Sequence, residues 1–225
     1  NDLPYRAVAN VVHVAVKPDG SLDEADYNRK LAQYGERVAL VAITGGSNVT
    51  GIINPAQRLA AKAHTRGAHF LLDIAQLAPH RPVTMGSLDD PGHFDYVALS
   101  AHKLYAPFGA GALIGRRDTF AQGEPDQRGG GTVEIVTEDG VWWSGPPDRD
   151  EAGSPNVVGA VALAAAIEQL QAVGMDTVAA HEAELVKDHI MTLIRFVPAL
   201  AGIVLACAAA ASAAAAPSDY VFEPV

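Results

Sequence analysis

The sequence feature that most constrains the fold is a pair of short apolar runs, residues 68–72 and 96–99, each of which ends abruptly in polar residues. Five polar residues follow the two runs: Asp73, Gln76, Ser100, His102 and Lys103. Buried parallel strands read as continuous apolar runs, and open α/β folds bind ligands at the carboxyl ends of such strands. The sequence therefore predicts an α/β fold in which these polar side chains share one edge of a parallel sheet.

Two of these residues, Lys103 and Asp73, indicate one kind of chemistry. Lys103 is soon followed by YAPFGAG at residues 105–111, and such glycines and proline are typical of a backbone that leaves room for a bound group. A partly desolvated lysine amine becomes a neutral nucleophile that is able to form a Schiff base. A pyridoxal ring is the best electron sink when its ring nitrogen stays protonated, and a neighbouring carboxylate favours that state. Pyridoxal phosphate therefore explains both residues.

The order and spacing of these residues resemble a known signature. D-x-A-Q begins at Asp73, and S-x-H-K-x-Y-x-P-x-G places Lys103 about 30 positions later. This pattern resembles that of the class V pyridoxal-phosphate enzymes, the aminotransferase and cysteine desulfurase-like family. The resemblance implies the fold of the pyridoxal-phosphate-dependent transferases, with an aspartate aminotransferase-like large domain whose mostly parallel sheet is flanked by helices.

The resemblance also implies a role for each residue of the signature. In the family the lysine forms a Schiff base with pyridoxal phosphate, the aspartate pairs with the pyridine nitrogen, the glutamine contacts the ring hydroxyl, and the serine and histidine hold the phosphate. These roles fall on Lys103, Asp73, Gln76, Ser100 and His102. A surface lysine and a helix-capping aspartate are the alternatives for single residues, but the ordered set of five favours the cofactor site.

Three further segments extend the resemblance. Asn48 matches an asparagine at the substrate side of the cofactor, and a simple turn residue is the alternative. Gly131 and Thr132 match a glycine-rich segment that contacts the cofactor phosphate of the neighbouring subunit, which implies a homodimer with shared active sites. An exposed flexible loop is the alternative for these two residues. Residues 145–156, GPPDRDEAGSPN, resemble the family's P-x-R-x-E-x-G-T-P-N segment, with Ser154 in place of the usual threonine.

The resemblance implies an enzyme that acts on an amino acid through a Schiff base at Lys103, by transamination or by C–S bond cleavage of the desulfurase type. The substrate amine would displace the lysine, which would then move a proton at the α-carbon. Desulfurases of the family need a nucleophilic cysteine on a loop, and Cys207, the only cysteine, matches no such motif. The reaction type therefore stays open. A catalytically silent dimeric scaffold of the same fold is the alternative, whereas a Rossmann nucleotide binder lacks its G-x-G-x-x-G after the first predicted strand.

The composition restricts the kinds of binding partner and the cellular location that we expect. The formal net charge of -10 and the pI near 5.1 argue against a nucleic-acid partner, which requires a basic surface. The four histidines between positions 64 and 93 lack metal-binding spacing, so we predict that they are scattered and that there is no metal site. The single cysteine and the lack of a secretion signal favour a reducing cytoplasm. Residues 196–216 have the length of a membrane span, but Pro198 and the weakly apolar alanines count against one.

The sequence predicts two regions. Residues 1–175 form the large domain, and residues 8–16 alternate like a strand. The resemblance implies that the N-terminal part of this domain is missing, because in the family the matching segment follows a glycine-rich phosphate loop and a histidine that stacks on the pyridoxal ring. Residues 176–225 form a linking helix and the start of a largely missing small C-terminal domain. The chain is therefore expected to be an incomplete copy of the family fold. The apolar helix after Ser154 is expected to be buried, because apolar residues surround it almost completely.

Overall fold

The protein is described by a computed structural model that covers residues 2–188. Its helices are α1 Asp2–Arg6, α2 Glu24–Tyr34, α3 Ala56–His64, α4 Arg117–Phe120, α5 Val157–Val173 and α6 Met175–Asp188. Its strands are β1 Leu40–Thr44, β2 His69–Asp73, β3 Tyr96–Ser100, β4 Gly111–Gly115, β5 Val133–Val136 and β6 Val141–Trp143. The chain divides into two units between Asp176 and Thr177, and the first unit contains every strand of this description.

The central sheet has the strand order β1-β2-β3-β4. The strands β1, β2 and β3 are parallel, whereas β4 returns antiparallel to β3. A separate hairpin of β5 and β6 follows. The predicted α/β fold with a mostly parallel sheet is therefore confirmed.

Two helices close the core over the sheet. The side chain of Asp23 accepts hydrogen bonds from the amides of Ala25 and Asp26 at the start of α2, and Gly35 ends that helix with a φ of 56°. Apolar residues at helical spacing on α2 and α3 then face the apolar run of β2. The largest buried members of this core are Tyr27, Leu31, Leu59, Phe70, Leu72, Ile74, Phe94 and Val97. This packing fixes β2 and β3, the strands whose ends carry the candidate site.

The segment of residues 8–16 is not a strand, which corrects the expectation from its alternating pattern. Only Val16 forms a bridge, with Leu22. Side chains of α2 satisfy this backbone instead: Asp26 accepts the Ala15 amide at 2.7 Å, and Lys30 donates to the carbonyl of His13. The alternation of apolar residues was misleading because it shows only which side chains are apolar. It does not show which groups form hydrogen bonds with the backbone.

The helix α5 is exposed, although the sequence predicted a buried helix. The residue Val161 is 64% exposed to solvent. Among the described residues of this helix, Gly159 is the only buried one. Leu104, Tyr105 and Pro107 line a shallow groove together with residues on the other side of the helix. The helix therefore packs on one face only, because no described element of the first unit covers the opposite face.

Within residues 2–188 no single helix is long and apolar enough to cross a membrane, and one bent pair, α5 with α6, passes that test only when the two are joined. The alanine-rich stretch at residues 196–216 and Cys207 lie outside the described residues.

Candidate active site

The polar residues of the signature lie at the carboxyl end of the parallel strands. Asp73 is the last residue of β2, and Ser100 is the last residue of β3. In the strand register, Asp73 pairs with Thr44 of β1 on one side and with Ala98 of β3 on the other. The sheet therefore brings these two residues to one edge, as the apolar runs in the sequence predicted.

Asp73 is held at this edge by backbone contacts. Its carboxylate accepts the Ala75 amide at 2.9 Å, and its carbonyl accepts the Gly45 amide at 2.7 Å. A Cβ atom on Gly45 would lie 2.9 Å from the end of the Leu77 side chain and 3.3 Å from the Asp73 carbonyl oxygen, so a larger residue would crowd the end of β2. The position of the Asp73 carboxylate is thus determined by the strand ends themselves.

Two further residues lie near Asp73: Gln76 in the turn after β2 and Tyr5 in the helix α1. Gln76 lies in the turn that follows β2 and is half-buried. Tyr5 of α1 was not predicted from the sequence, and it lies close enough to Asp73 to sense its charge. Burial and the Asp73 carboxylate both raise the pKa of the Tyr5 hydroxyl, so that group stays protonated at neutral pH. No local pattern indicated a role for Tyr5, because the first residues of the chain show no regular periodicity.

Lys103 lies in a 3-10 turn, Ala101–Leu104, that begins directly after β3. Ala101 and Leu104 are buried and anchor the turn, whereas Lys103 is half-buried and His102 is exposed. The short turn therefore presents Ser100, His102 and Lys103 within one helical turn of the strand end. Such anchoring is what a nucleophilic lysine requires, because its amine must stay in a fixed position relative to the group it attacks.

The loop after Lys103 has an unusual backbone. Tyr105 has a φ of 65° and Phe108 a φ of 74°, values that residues other than glycine adopt at a cost. Asn156, from the G-S-P-N segment, stabilises this loop because its amide nitrogen donates to the Phe108 carbonyl at 2.6 Å. The oxygen of the same side chain accepts the Gly159 amide at 2.9 Å and caps α5. One asparagine thus joins the start of α5 to the lysine loop.

The glycine-rich segment is a closed loop in this chain. The Thr132 side chain is fully buried, and its hydroxyl donates to the Gly129 carbonyl at 2.7 Å. The Gly153 amide donates to the Gly130 carbonyl at 2.7 Å, so the loop is tied to the G-S-P-N segment. Gly131 has a φ of 94°, which favours glycine.

Asn48 is exposed in the turn that follows β1. Ser47 organises this turn, because its hydroxyl accepts the amides of Val49 and Thr50. Asn54 was not singled out in the sequence, and its side chain donates to the Thr44 carbonyl at 2.9 Å, which holds the turn against the end of β1. The structure therefore places Asn48 on the loop next to the edge that carries Asp73, without a contact between the two among the described interactions.

A second group of titratable residues lies at the other edge of the sheet, and we call it the His–Asp cluster: His64, His69, His93 and Asp95. The prediction that these histidines are scattered is wrong, because they converge on the buried Asp95 carboxylate. Burial alone would raise the pKa of Asp95, but hydrogen bonds from His69, from the Phe70 amide and from His64 outweigh burial and lower the pKa to about 2. The convergence could not be read from spacing, since the residues come from a helix end, a loop and two strand starts.

Two solved structures resemble this chain closely. A cysteine desulfurase from Thermococcus onnurineus, in its apo form, superposes with a TM-score of 0.76 at 34% identity, over 86% of this chain and 48% of that one. The cysteine desulfurase CsdA from Escherichia coli superposes with a TM-score of 0.68 at 31% identity, over 78% of this chain and 42% of that one. The fold is therefore that of the pyridoxal-phosphate-dependent transferases of fold type I.

The sequence matches agree with the fold. The family model of class V aminotransferases matches residues 2–209. A cysteine desulfurase of Dickeya dadantii is 39% identical over 200 residues, which are 86% of this chain and 47% of that protein. A probable cysteine desulfurase of Mycobacterium leprae is 36% identical over 195 residues, which are 87% of this chain and 46% of that protein. The chain belongs to the class V aminotransferase family, and it spans about half the length of these curated relatives.

Members of this family use pyridoxal phosphate, and the residues at the carboxyl edge fit that cofactor. The edge offers a carboxylate, an amide, a hydroxyl, an imidazole and a primary amine on two neighbouring strand ends and their turns. These are the groups that a protonated pyridine, a ring hydroxyl, a phosphate and an aldehyde require. The residues fit the cofactor because they offer the required hydrogen-bond donors and acceptors and because they lie at the same edge of the sheet.

Proposed function

We propose that this protein acts on an amino acid, with cysteine the favoured substrate, through a pyridoxal phosphate bound to Lys103. The observation that carries the proposal is the arrangement of Asp73, Ser100 and Lys103 at one edge, on the ends of two adjacent parallel strands. The relatives named above are cysteine desulfurases, which favours cleavage of a C–S bond over transamination. The activity is a proposal because the chain spans about half of those relatives.

Each residue at the edge has a distinct task in this proposal. The Lys103 amine would hold the cofactor and, once displaced by the substrate amine, would move a proton at the substrate α-carbon. The Asp73 carboxylate would accept a hydrogen bond from the protonated ring nitrogen. The Ala75 amide, which donates to this carboxylate at 2.9 Å, would keep its orientation. Ser100 and His102 would bind the phosphate. When bound, pyridoxal phosphate withdraws the electrons that proton removal leaves on the substrate.

Four further residues complete the proposed site. Gln76 would contact the ring hydroxyl, and Asn48 would lie on the substrate side. Gly131 and Thr132 would contact the cofactor phosphate of a second subunit, so that the active form would be a homodimer with shared sites. The Thr132 hydroxyl donates to the Gly129 carbonyl and its oxygen accepts the Gly129 amide, so the donors toward a phosphate would be the backbone amides of Gly130 and Gly131. A cytoplasmic location is part of the same proposal.

Reduction with borohydride followed by mass spectrometry tests the lysine assignment. The chain is incubated with pyridoxal phosphate, reduced and digested, and we expect a pyridoxyl adduct on the peptide that contains Lys103. The adduct should disappear in Lys103→Ala and persist in Lys17→Ala, a control at an exposed lysine. An adduct that is spread over many lysines, or absent from this peptide, would contradict the proposal.

Product analysis tests the reaction. Incubation with cysteine and a thiol reductant should release sulfide and alanine if the C–S bond is cleaved. A keto acid in place of sulfide would indicate transamination instead. A specific adduct on Lys103 without any turnover would support the catalytically silent scaffold.

A further inference from the structure

The His–Asp cluster lies at the edge of the sheet opposite to Lys103 and has no role in the proposed reaction. His69 is the first residue of β2 and Asp73 is the last, so the strand separates the two edges by about 13 Å. Asp95 directly precedes β3, His64 ends α3, and His93 lies in the segment between β2 and β3. The cluster therefore joins the end of α3, the start of β2 and the segment before β3.

The hydrogen bonds of the two inner histidines fix the position of their protons. The Nδ1 atom of His64 lies 2.6 Å from the Pro91 carbonyl, and the Nδ1 atom of His93 lies 2.6 Å from the Asp90 carbonyl. A carbonyl oxygen can only accept, so each Nδ1 carries the proton. In a neutral imidazole the Nε2 atom then holds a lone pair.

Both of these lone pairs point toward a group that also only accepts. The Nε2 atom of His64 lies 2.9 Å from one oxygen of the Asp95 carboxylate, and the Nε2 atom of His93 lies 3.7 Å from the other. With neutral rings each contact brings two acceptors together, and this is relieved either by an extra ring proton, as in the hydrogen bond from His64 to Asp95 described above, or by a metal cation between the atoms. Two extra ring protons would place two imidazolium charges in rings stacked 4.3 Å apart, and these charges would repel. One cation shared by all three side chains satisfies them without that repulsion.

We propose that His64, His93 and Asp95 bind a divalent transition-metal ion of the zinc class. Ligands of a tetrahedral zinc ion lie about 2.0 to 2.2 Å from the metal, so neighbouring ligand atoms are about 3.3 Å apart. The observed separations are 2.9 Å from His64 to one Asp95 oxygen and 3.7 Å from His93 to the other, so the side chains must shift before both nitrogens and one oxygen share an ion. All three ligand atoms lie within 4.8 Å of one another. Only a small movement of the side chains is therefore needed to close around the ion.

The surroundings of these three residues are those of a metal site. The two carbonyls that bind the Nδ1 protons orient the imidazoles and raise their basicity, which is how metal-binding histidines are usually supported. The Phe70 amide donates to the Asp95 carboxylate at 2.7 Å, and the Nδ1 atom of His69 contacts its other oxygen at 3.0 Å. The His69 side chain is 50% exposed, so the cluster opens to solvent on that side. An ion can enter there, and water can supply the fourth ligand.

The chemistry of the ligands selects the ion. Two imidazole nitrogens and one carboxylate oxygen suit zinc and neighbouring transition metals, whereas magnesium requires more oxygen ligands and keeps its water. The ion would tie the end of α3 to the start of β3, and its task would be structural. This inference does not depend on the proposed function, because the cluster shares no residue with the candidate active site.

Calorimetric titration of the full chain with zinc tests the proposal. The protein is freed of metal by a chelator, exchanged into buffer without chelator or pyridoxal phosphate, and titrated with Zn²⁺ and separately with Mg²⁺. We expect one zinc ion per chain with a dissociation constant of about 1 μM or lower, and no binding of magnesium. His93→Gln should weaken zinc binding by at least about 100-fold, because even residues that only orient a ligand contribute about 10- to 100-fold.

A matched histidine and a second measurement complete the test. His13→Gln changes an exposed histidine that contacts Asp2 instead of the cluster, and it should leave zinc binding unchanged. X-ray absorption of the zinc-loaded wild-type chain should show nitrogen and oxygen ligands, with no sulfur. Equal binding by wild type and His93→Gln, a sulfur ligand, or no uptake of zinc would each overturn the proposal. Because pyridoxal phosphate and substrate are omitted, failure here is separate from failure of the proposed function.

Discussion

Replacement of Asn156 should loosen the lysine loop and α5 together, because its side chain binds both. Asn156→Ala removes the cap on the Gly159 amide and the hydrogen bond to the Phe108 carbonyl. A lost N-cap costs about 1 kcal/mol and a lost neutral hydrogen bond about 1 kcal/mol, so the free energy of unfolding should fall by about 2 kcal/mol. For a chain of this size that is a decrease of about 4 to 8 °C in Tm.

A second substitution separates the two contacts. Asn156→Asp keeps an oxygen that accepts the Gly159 amide, and a negative charge is favourable at the start of a helix. It cannot donate to the Phe108 carbonyl, so only the loop contact is lost and the free energy of unfolding should fall by about 1 kcal/mol. The left-handed φ of Phe108 would then have less support.

Urea denaturation gives the stabilities, and hydrogen exchange with mass spectrometry locates the change. Peptides that cover residues 104–110 should exchange faster in both variants, whereas the first turn of α5 should exchange faster only in Asn156→Ala. If Asn156→Asp is as stable as wild type and its residues 104–110 are equally protected, the contact between Asn156 and Phe108 does not hold the loop. If Asn156→Ala costs less than about 0.5 kcal/mol, both assigned contacts are wrong.

Three more outcomes follow from contacts in the core and the sheet. Tyr27→Phe removes a buried hydrogen bond of 2.8 Å to a backbone carbonyl of α3, and urea denaturation should show a loss of about 1 kcal/mol. Gly115→Ala would place a Cβ atom 2.5 Å from the ring of Tyr96, and Tm measurements should show a destabilisation of about 1 to 3 kcal/mol. The ammonium of Lys30 helps to hold the pKa of Asp26 below its ordinary 3.8, so this carboxylate stabilises the fold above that pH and less below it. The stability difference between wild type and Asp26→Asn, measured by urea denaturation at stepped pH, should therefore shrink as the pH falls below 3.8.

The sheet and the candidate site could be predicted because their signals are local. A continuous apolar run that stops at a polar residue identifies a buried strand and also the residue at its end, as it did for Asp73 and Ser100.

The features that sequence did not predict depend on contacts between distant segments. Tyr5 and Asn54 reach the candidate site from parts of the chain whose local pattern contains no site signal. The His–Asp cluster combines side chains from four places, and metal-binding spacing rules apply to ligands that share one element. The exposure of α5 was not predicted for a related reason. An apolar sequence indicates that a helix is suited to burial, but it does not indicate which other element, if any, covers the helix.

The exposed apolar face of α5 has a practical consequence for anyone who shortens this chain. A version that stops before Val157 would remove a row of valines that favours self-association and poor solubility. It would also remove the Gly159 amide that holds Asn156 in place, together with the helix that contacts Leu104 and Tyr105. The shortened chain would therefore be more soluble, but the turn that carries Lys103 would be displaced. A polar substitution of Val161 is the safer way to raise solubility.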